Sequence, residues 1–129
     1  MKTNSFTHLK IWSEAHALAL KVYSLTRSFP REEIYALSSQ LRRSAVSIAA
    51  NISEGAGRGT PKDFAHFLHI AQGSINETMY HCMLARDLGY VPAGQAEAIL
   101  RNYDGLRAGV YAYVTAIKND AATGIVRRL

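Results

Sequence analysis

The chain has 129 residues, of which 48% are hydrophobic and 19% are charged. That length is typical of one domain that buries a core without disulfides, and the composition excludes both a disordered chain and a membrane-spanning one. The single cysteine, Cys82, cannot form an internal disulfide, and the first ten residues lack the apolar run of a signal peptide. A cytoplasmic protein is expected.

The formal charge of +5 is concentrated in the first half of the chain. Residues 1–62 contain nine Lys or Arg against four Glu, whereas residues 63–120 contain four Lys or Arg against six Asp or Glu. A polyanion is therefore expected to meet the first half of the chain, or the basic tail that ends in Arg127 and Arg128.

The first predicted helix has apolar residues at alternating steps of four and three, the spacing of a helix that packs in a bundle. They are Ile11, Ala15, Leu18, Val22, Leu25 and Phe29. Pro30 ends this helix because it lacks an N–H and its ring opposes helical continuation.

The second predicted helix repeats this spacing and ends in the glycine-rich residues 55–59. Its apolar residues are Ile34, Leu37, Leu41, Ala45, Ile48 and Ile52. Glu32 and Glu33 near its start suit the positive end of a helix dipole.

The third predicted helix begins with Thr60 as N-cap, Pro61 at the first helical position and Asp63 three residues after the cap. Its apolar residues are Phe64, Phe67, Leu68, Ala71, Ile75, Met79, Cys82, Ala85 and Leu88. Gly89 is expected to end it.

The fourth predicted helix follows a short connection at residues 90–92 and again steps by three and four. Its apolar residues are Ala96, Ile99, Tyr103, Leu106, Val110, Tyr113 and Ile117. Short connections make sequential helices antiparallel, so the sequence predicts an all-α, antiparallel, up-down-up-down four-helix bundle over residues 1–120. Residues 121–129 are expected to form a flexible basic tail.

Residues 39–48 and 51–58 resemble the four-helix bundle proteins associated with intervening sequences of bacterial 23S ribosomal RNA genes, known as S23-like. Their sequences here are SQLRRSAVSI and NISEGAGR. Trp12 with Ala15, residues 29–35, residues 63–74 and residues 88–90 also match. The sequence departs at Ala49, where the family usually has proline, and around residues 76–78, which are less rich in Glu than is usual.

This resemblance implies a homopentamer of four-helix bundles. One relative is the accessory variability protein of diversity-generating retroelements, which binds a reverse transcriptase and nucleic acid. The resemblance brings no catalytic motif, and most members have no assigned activity. Implied partners are therefore other copies of the chain, RNA or DNA, and a reverse transcriptase.

Four basic residues are predicted to contact nucleic acid: Arg42, Arg43, Arg58 and Lys62. The guanidinium group presents a fork of donors that suits phosphate. The alternative interpretation is that these residues form ordinary solvated or intersubunit salt bridges.

A polar stripe lies beside the apolar stripe of the second helix. Its members are Gln40, Arg43, Ser47, Asn51, Glu54 and Arg58. One hypothesis is a ligand or nucleic-acid surface. The other is a partly buried network that sets helix register or forms a subunit interface, with Glu54 neutralising Arg58 or Arg43.

No enzyme site, metal site or cofactor is predicted. Residues 55–62 are glycine-rich but lack the preceding strand and the Gly-Lys-Ser/Thr of a phosphate loop. His66 and His69 are three residues apart, but the chain has no Glu-x-x-His motif of the kind used in bundle di-iron sites. Cys82 lies on an apolar stripe, and Tyr111 is the exposed tyrosine expected on the fourth helix.

Two functional hypotheses follow. The first is a non-enzymatic homo-oligomer, a pentamer, that binds nucleic acid through a basic surface and serves as an accessory factor to a reverse transcriptase. The second is a protein-interaction scaffold whose charge serves solubility and assembly.

Overall fold

The structure, a computed structural model, describes residues 5–122 and contains four α-helices there. They are α1 (Lys10–Thr26), α2 (Leu37–Ala56), α3 (Pro61–Asp87) and α4 (Ala93–Ala122). Short 3₁₀ turns at Phe6–His8 and Arg31–Glu33 precede α1 and α2, and no residue from 5 to 122 lies in a strand. The predicted all-α class is confirmed.

Contacts between the helices establish that they run antiparallel. From α2 to α3, Ser44 meets Thr78 and Ser47 meets Ser74, so residue numbers rise along one helix as they fall along the other. Asn76 with Arg107 and Arg86 with Glu97 give the same relation between α3 and α4. The predicted up-down-up-down bundle is confirmed.

The core consists of the apolar stripes predicted from the sequence. Leu41, Ile48, Ile75 and Tyr103 are fully buried, and the six apolar residues predicted for α1 are buried apart from the half-buried Leu25. Burying such side chains stabilises the fold by about 1.5–3 kcal/mol each relative to exposure. Other seam positions differ: Leu88 is half exposed, Phe67 and Met79 are only partly buried, and on α4 Val114 is more deeply buried than Tyr113.

The predicted start of the second helix is wrong. Ile34 lies in a turn and is 49% exposed, and α2 begins only at Leu37. The backbone of Ala36, with φ −125° and ψ −105°, is not helical. The carboxylate of Glu33 instead accepts the Leu37 N–H at 3.2 Å and satisfies one of the orphan donors of α2.

The connections around α3 follow their predicted chemistry. Thr60 caps α3 by accepting the Asp63 N–H at 3.2 Å, with Pro61 in the first helical turn. Gly59 and Gly89 have positive φ values of 86° and 81°, which suit glycine in these two turns. The glycine-rich residues thus connect two helices, as expected.

None of the helices within residues 5–122 is sufficiently long and apolar to span a membrane. The predicted boundary at residue 120 falls within α4, which continues to Ala122. The rest of the predicted tail lies outside the described residues.

Candidate nucleic-acid interface

Arg42 is held in place by two uncharged neighbours on α1. Its Nε donates a hydrogen bond to Thr26 Oγ1 at 2.7 Å, and its guanidinium carbon lies 4.8 Å from the centroid of the Tyr23 ring. Thr26 is itself fixed because its hydroxyl donates to the Val22 carbonyl at 2.9 Å. The guanidinium is therefore oriented by uncharged groups, and within residues 5–122 it forms no ion pair.

Three more arginines lie around the same connection between α1 and α2. Arg27 follows α1 directly, Arg31 begins the 3₁₀ turn, and Arg43 is an exposed neighbour of Arg42. Within residues 5–122, none of these four arginines forms an ion pair. We call Arg27, Arg31, Arg42 and Arg43 the basic corner.

Glu33 anchors the basic corner to the rest of the bundle. One carboxylate oxygen accepts the Leu37 N–H, and the other accepts the Tyr90 hydroxyl at 2.8 Å. The Tyr90 ring also packs against Phe29, with centroids 5.5 Å apart. The hydrogen bond to Glu33 is the main cause that raises the pKa of the Tyr90 hydroxyl. Both oxygens of the Glu33 carboxylate thus accept hydrogen bonds that link the turn before α2 to Leu37 and Tyr90.

The opposite end of α2 differs in its electrostatics. Arg58 pairs with Glu54, with Nη2 3.0 Å and Nε 3.1 Å from the same carboxylate oxygen, and its guanidinium lies 4.8 Å from the centroid of the Phe67 ring. Of the two partners predicted for Glu54, the structure selects Arg58. Lys62 is exposed and has no ion pair within the described residues.

The structure thus divides the four predicted nucleic-acid contacts into two pairs. Arg42 and Arg43 lie near the start of α2, whereas Arg58 and Lys62 follow its end. At about 1.5 Å per residue, roughly 20 Å of helix separates the pairs. They do not form one cluster on the chain.

Two members of the predicted polar stripe lie in the contact between α2 and α3. The Ser47 and Ser74 hydroxyls are 2.9 Å apart, and Asn51 Nδ2 donates to the Ser47 carbonyl at 2.8 Å and to its hydroxyl at 3.0 Å. Gln40, Arg43 and Glu54 are exposed instead. In its middle the stripe therefore contains hydrogen-bonded residues, with one bond to α3, and at its ends it is exposed.

Sequence reasoning missed a second, deeper link between these helices. Thr78 Oγ1 donates to Ser44 Oγ at 2.8 Å, and Thr78 is fully buried. The small residues of α2 were a usable signal, since they predict close approach of another helix. Nothing in the sequence spacing identifies Ser74 and Thr78 as the residues opposite them.

The remaining candidate groups lack the surroundings of a catalytic or metal site. Burial raises the pKa of Cys82 to about 12, so its thiol is a poor nucleophile at neutral pH. His66 and His69 are exposed, and within residues 5–122 no group of three or more His, Cys, Asp or Glu is placed to hold a metal ion. Tyr111 is 65% exposed, as predicted, and Tyr103 is fully buried.

Comparison with known proteins agrees with this architecture. No curated protein matches the chain. A crystal structure of a protein with unknown function from the S23 ribosomal protein family of Bacteroides thetaiotaomicron is similar, with a TM-score of 0.75 and 25% sequence identity. The similarity covers 81% of this chain and 97% of the other. The family of 23S rRNA-intervening sequence proteins matches residues 7–112, and the chain belongs to that family.

Proposed function

We propose that this chain is a non-enzymatic, homopentameric bundle protein that binds nucleic acid through its basic corner. The observation that carries the proposal is the set of four arginines around one connection, none with an ion-pair partner in the described part of the chain. The family name refers to 23S rRNA intervening sequences and states no activity. The proposal therefore rests on the charges.

The geometry of Arg42 suits recognition of phosphate. Because Thr26 and Tyr23 already hold its side chain, less rotamer freedom is lost when an anion binds. Both neighbours are uncharged, so the guanidinium keeps its full attraction for phosphate. In an oligomer the corner is repeated in each protomer, which strengthens the field felt by a polyanion.

Assembly is supported by an exposed apolar stripe on the second half of α3. Tyr80 and Met83 are 58% and 41% exposed, Leu88 directly after the helix is 50% exposed, and the partly buried Leu84 lies between them. Contiguous exposed apolar surface is typical of a protein interface. We assign this stripe to the contact between copies of the chain.

Nucleic-acid binding is tested by fluorescence anisotropy with labelled oligonucleotides across a salt series. The wild type is expected to lose affinity steeply as salt rises, because phosphate contacts release counterions. For single strands, affinity is plotted as the logarithm of the association constant against the logarithm of salt concentration. The double variant Arg42→Ala/Arg43→Ala should reduce the steepness of this slope by roughly 1.4, at about 0.7 per lost phosphate contact.

The matched control is Arg101→Ala/Lys118→Ala, which removes from α4 two exposed charges that form no ion pair within residues 5–122. It should change the slope less. Absence of wild-type binding at low salt, or equal slopes for the two double variants, would contradict the proposal.

The assembly is tested by measuring mass in solution. Tyr80→Glu/Leu88→Glu should dissociate the oligomer because charge is then buried in an apolar contact. Leu20→Glu, at a position 60% exposed on α1, is the control that should leave it intact. A monomeric wild type would contradict this part of the proposal. The reverse-transcriptase partner implied by the resemblance stays a prediction.

A further inference from the structure

We infer that the basic corner binds single-stranded nucleic acid, with the ring of Tyr35 stacking on an unpaired base. This inference rests on the proposed function and specifies its ligand class. A duplex offers phosphates to the arginines, but its bases are stacked on one another. A single strand offers both phosphates and free base faces.

Tyr35 is the most exposed of the large apolar residues in the described part of the chain, at 95%. It lies in the turn between the 3₁₀ turn that Arg31 begins and the start of α2. Its neighbour Ile34 is also half exposed. An exposed aromatic ring therefore lies, along the chain, between Arg31 and Arg42, and neither arginine forms an ion pair within residues 5–122.

The turn that carries Tyr35 is held by its backbone. The Glu33 N–H donates to the Pro30 carbonyl at 2.9 Å, the Ile34 N–H to Arg31 at 3.1 Å, and the Ala36 N–H to Glu33 at 3.0 Å. The Glu33 carboxylate then ties this segment to Leu37 and Tyr90. The ring is thus presented on an ordered backbone, which lowers the entropy cost of binding.

Other exposed tyrosines lack this combination, and Tyr80, 58% exposed, lies in the apolar stripe assigned to the contact between copies. Tyr23 is 40% exposed, but one face of its ring is covered by Arg42. Tyr111 is 65% exposed, and the arginine one turn before it, Arg107, is already paired with Asp104 and bonded to Asn76. Tyr35 therefore offers a free base-stacking surface in the same connection as arginines that form no ion pair within residues 5–122.

The test uses one fluorescent DNA oligonucleotide of mixed sequence, as a single strand and annealed to its complement. Anisotropy titrations are run at low salt with the wild type, Tyr35→Ala, Tyr35→Phe and Tyr111→Ala. Tyr35→Ala should weaken single-strand binding about 5- to 150-fold, the change that corresponds to ~1–3 kcal/mol per stacked base. Tyr35→Phe and Tyr111→Ala should bind like the wild type, and duplex affinity should be unchanged in all variants.

Several outcomes would overturn the inference while leaving the proposed function intact. One is that Tyr35→Ala binds the single strand as tightly as the wild type does, whereas Arg42→Ala/Arg43→Ala binds it more weakly. Another is equal weakening for single strand and duplex. A third is dissociation of the oligomer by Tyr35→Ala, which would place the ring in a contact between copies. If the wild type binds neither oligonucleotide, the proposed function fails and the inference fails with it.

Discussion

The two ends of α2 carry similar residues in different environments. At its start, Arg42 contacts a hydroxyl and an aromatic ring, and its charge is not compensated. Beyond its end, Arg58 also lies against an aromatic ring, but Glu54 is 3.0 Å away. Both arginines are ordered by their neighbours, and only the first is left with its charge available to an anion.

The two ends also differ in how α2 contacts its neighbours. Near its start, Leu37 and Leu41 are buried in the core, and hydrogen bonds are made by Glu33 just before the helix and by Ser44 further along. Near its end, the helices approach so closely that Gly55 packs against the side chains of Phe64 and Phe67. The contact at Gly55 therefore leaves no room for a larger side chain, whereas the start of α2 carries Arg42, which forms no ion pair within residues 5–122.

The largest expected effect is a loss of stability on substitution of Gly55, near the end of α2. A Cβ added at Gly55 would lie 2.8 Å from Phe67 Cβ and 3.3 Å from the Phe64 carbonyl oxygen, so the helices must separate. Gly55→Ala should lower the free energy of unfolding by about 1–3 kcal/mol, as measured by urea denaturation at fixed protein concentration.

The control for this substitution is Gly57→Ala. A Cβ at Gly57 meets no atom closer than 3.7 Å, so its effect should stay within about 1 kcal/mol. Equal destabilisation by the two substitutions would show that the close approach of α3 to Gly55 does not stabilise the contact between the helices.

A smaller effect on stability is expected near the start of α2. Tyr90→Phe removes the hydroxyl that is bonded to Glu33. Folding raises the pKa of Tyr90, so this contribution to stability is present below the ordinary tyrosine pKa and is lost as pH rises through the raised value. Wild type and variant should therefore differ in urea denaturation at neutral pH and converge at high pH. Tyr111→Phe should match the wild type throughout, and a difference that grows at high pH would refute this assignment.

The smallest expected effect on stability comes from Glu54→Gln. This substitution leaves Arg58, beyond the end of α2, without its carboxylate partner, as Arg42 is near the start. Loss of an exposed i, i+4 pair should change the free energy of unfolding by less than about 1 kcal/mol. Freed from its partner, Arg58 should strengthen oligonucleotide binding and steepen its salt dependence. Glu97→Gln is the control, since Arg86 then still pairs with Asp87. A gain as large in the control would mean that overall charge alone decides binding.

Much of the fold is predictable from local patterns. Apolar stripes, the Thr60 cap and Gly89 are each encoded within one helix or turn, so the four helices follow from spacing alone. Ile34 fits the apolar spacing of α2 equally well, yet it lies outside the helix. The reason is tertiary: Glu33 bonds to Tyr90, far away in the sequence, and also accepts the first N–H of α2.

The candidate site is predictable only where its partners are close in sequence. Glu54 and Arg58 are four residues apart on a helical path, so their pairing could be expected. Thr26 and Tyr23 reach Arg42 only because α1 packs beside α2. Arg27 and Arg31 likewise join the basic corner, with Tyr35 in the same connection, only because the chain turns back at Pro30.

The most direct test compares the salt dependence of single-strand binding for Arg42→Ala/Arg43→Ala and Arg58→Ala/Lys62→Ala, measured side by side. Each variant removes two positive charges from one end of α2. The first is predicted to lower affinity and flatten the salt dependence more strongly, because Arg58 is already neutralised by Glu54. An equal or larger loss in the second variant would contradict the assignment of the basic corner.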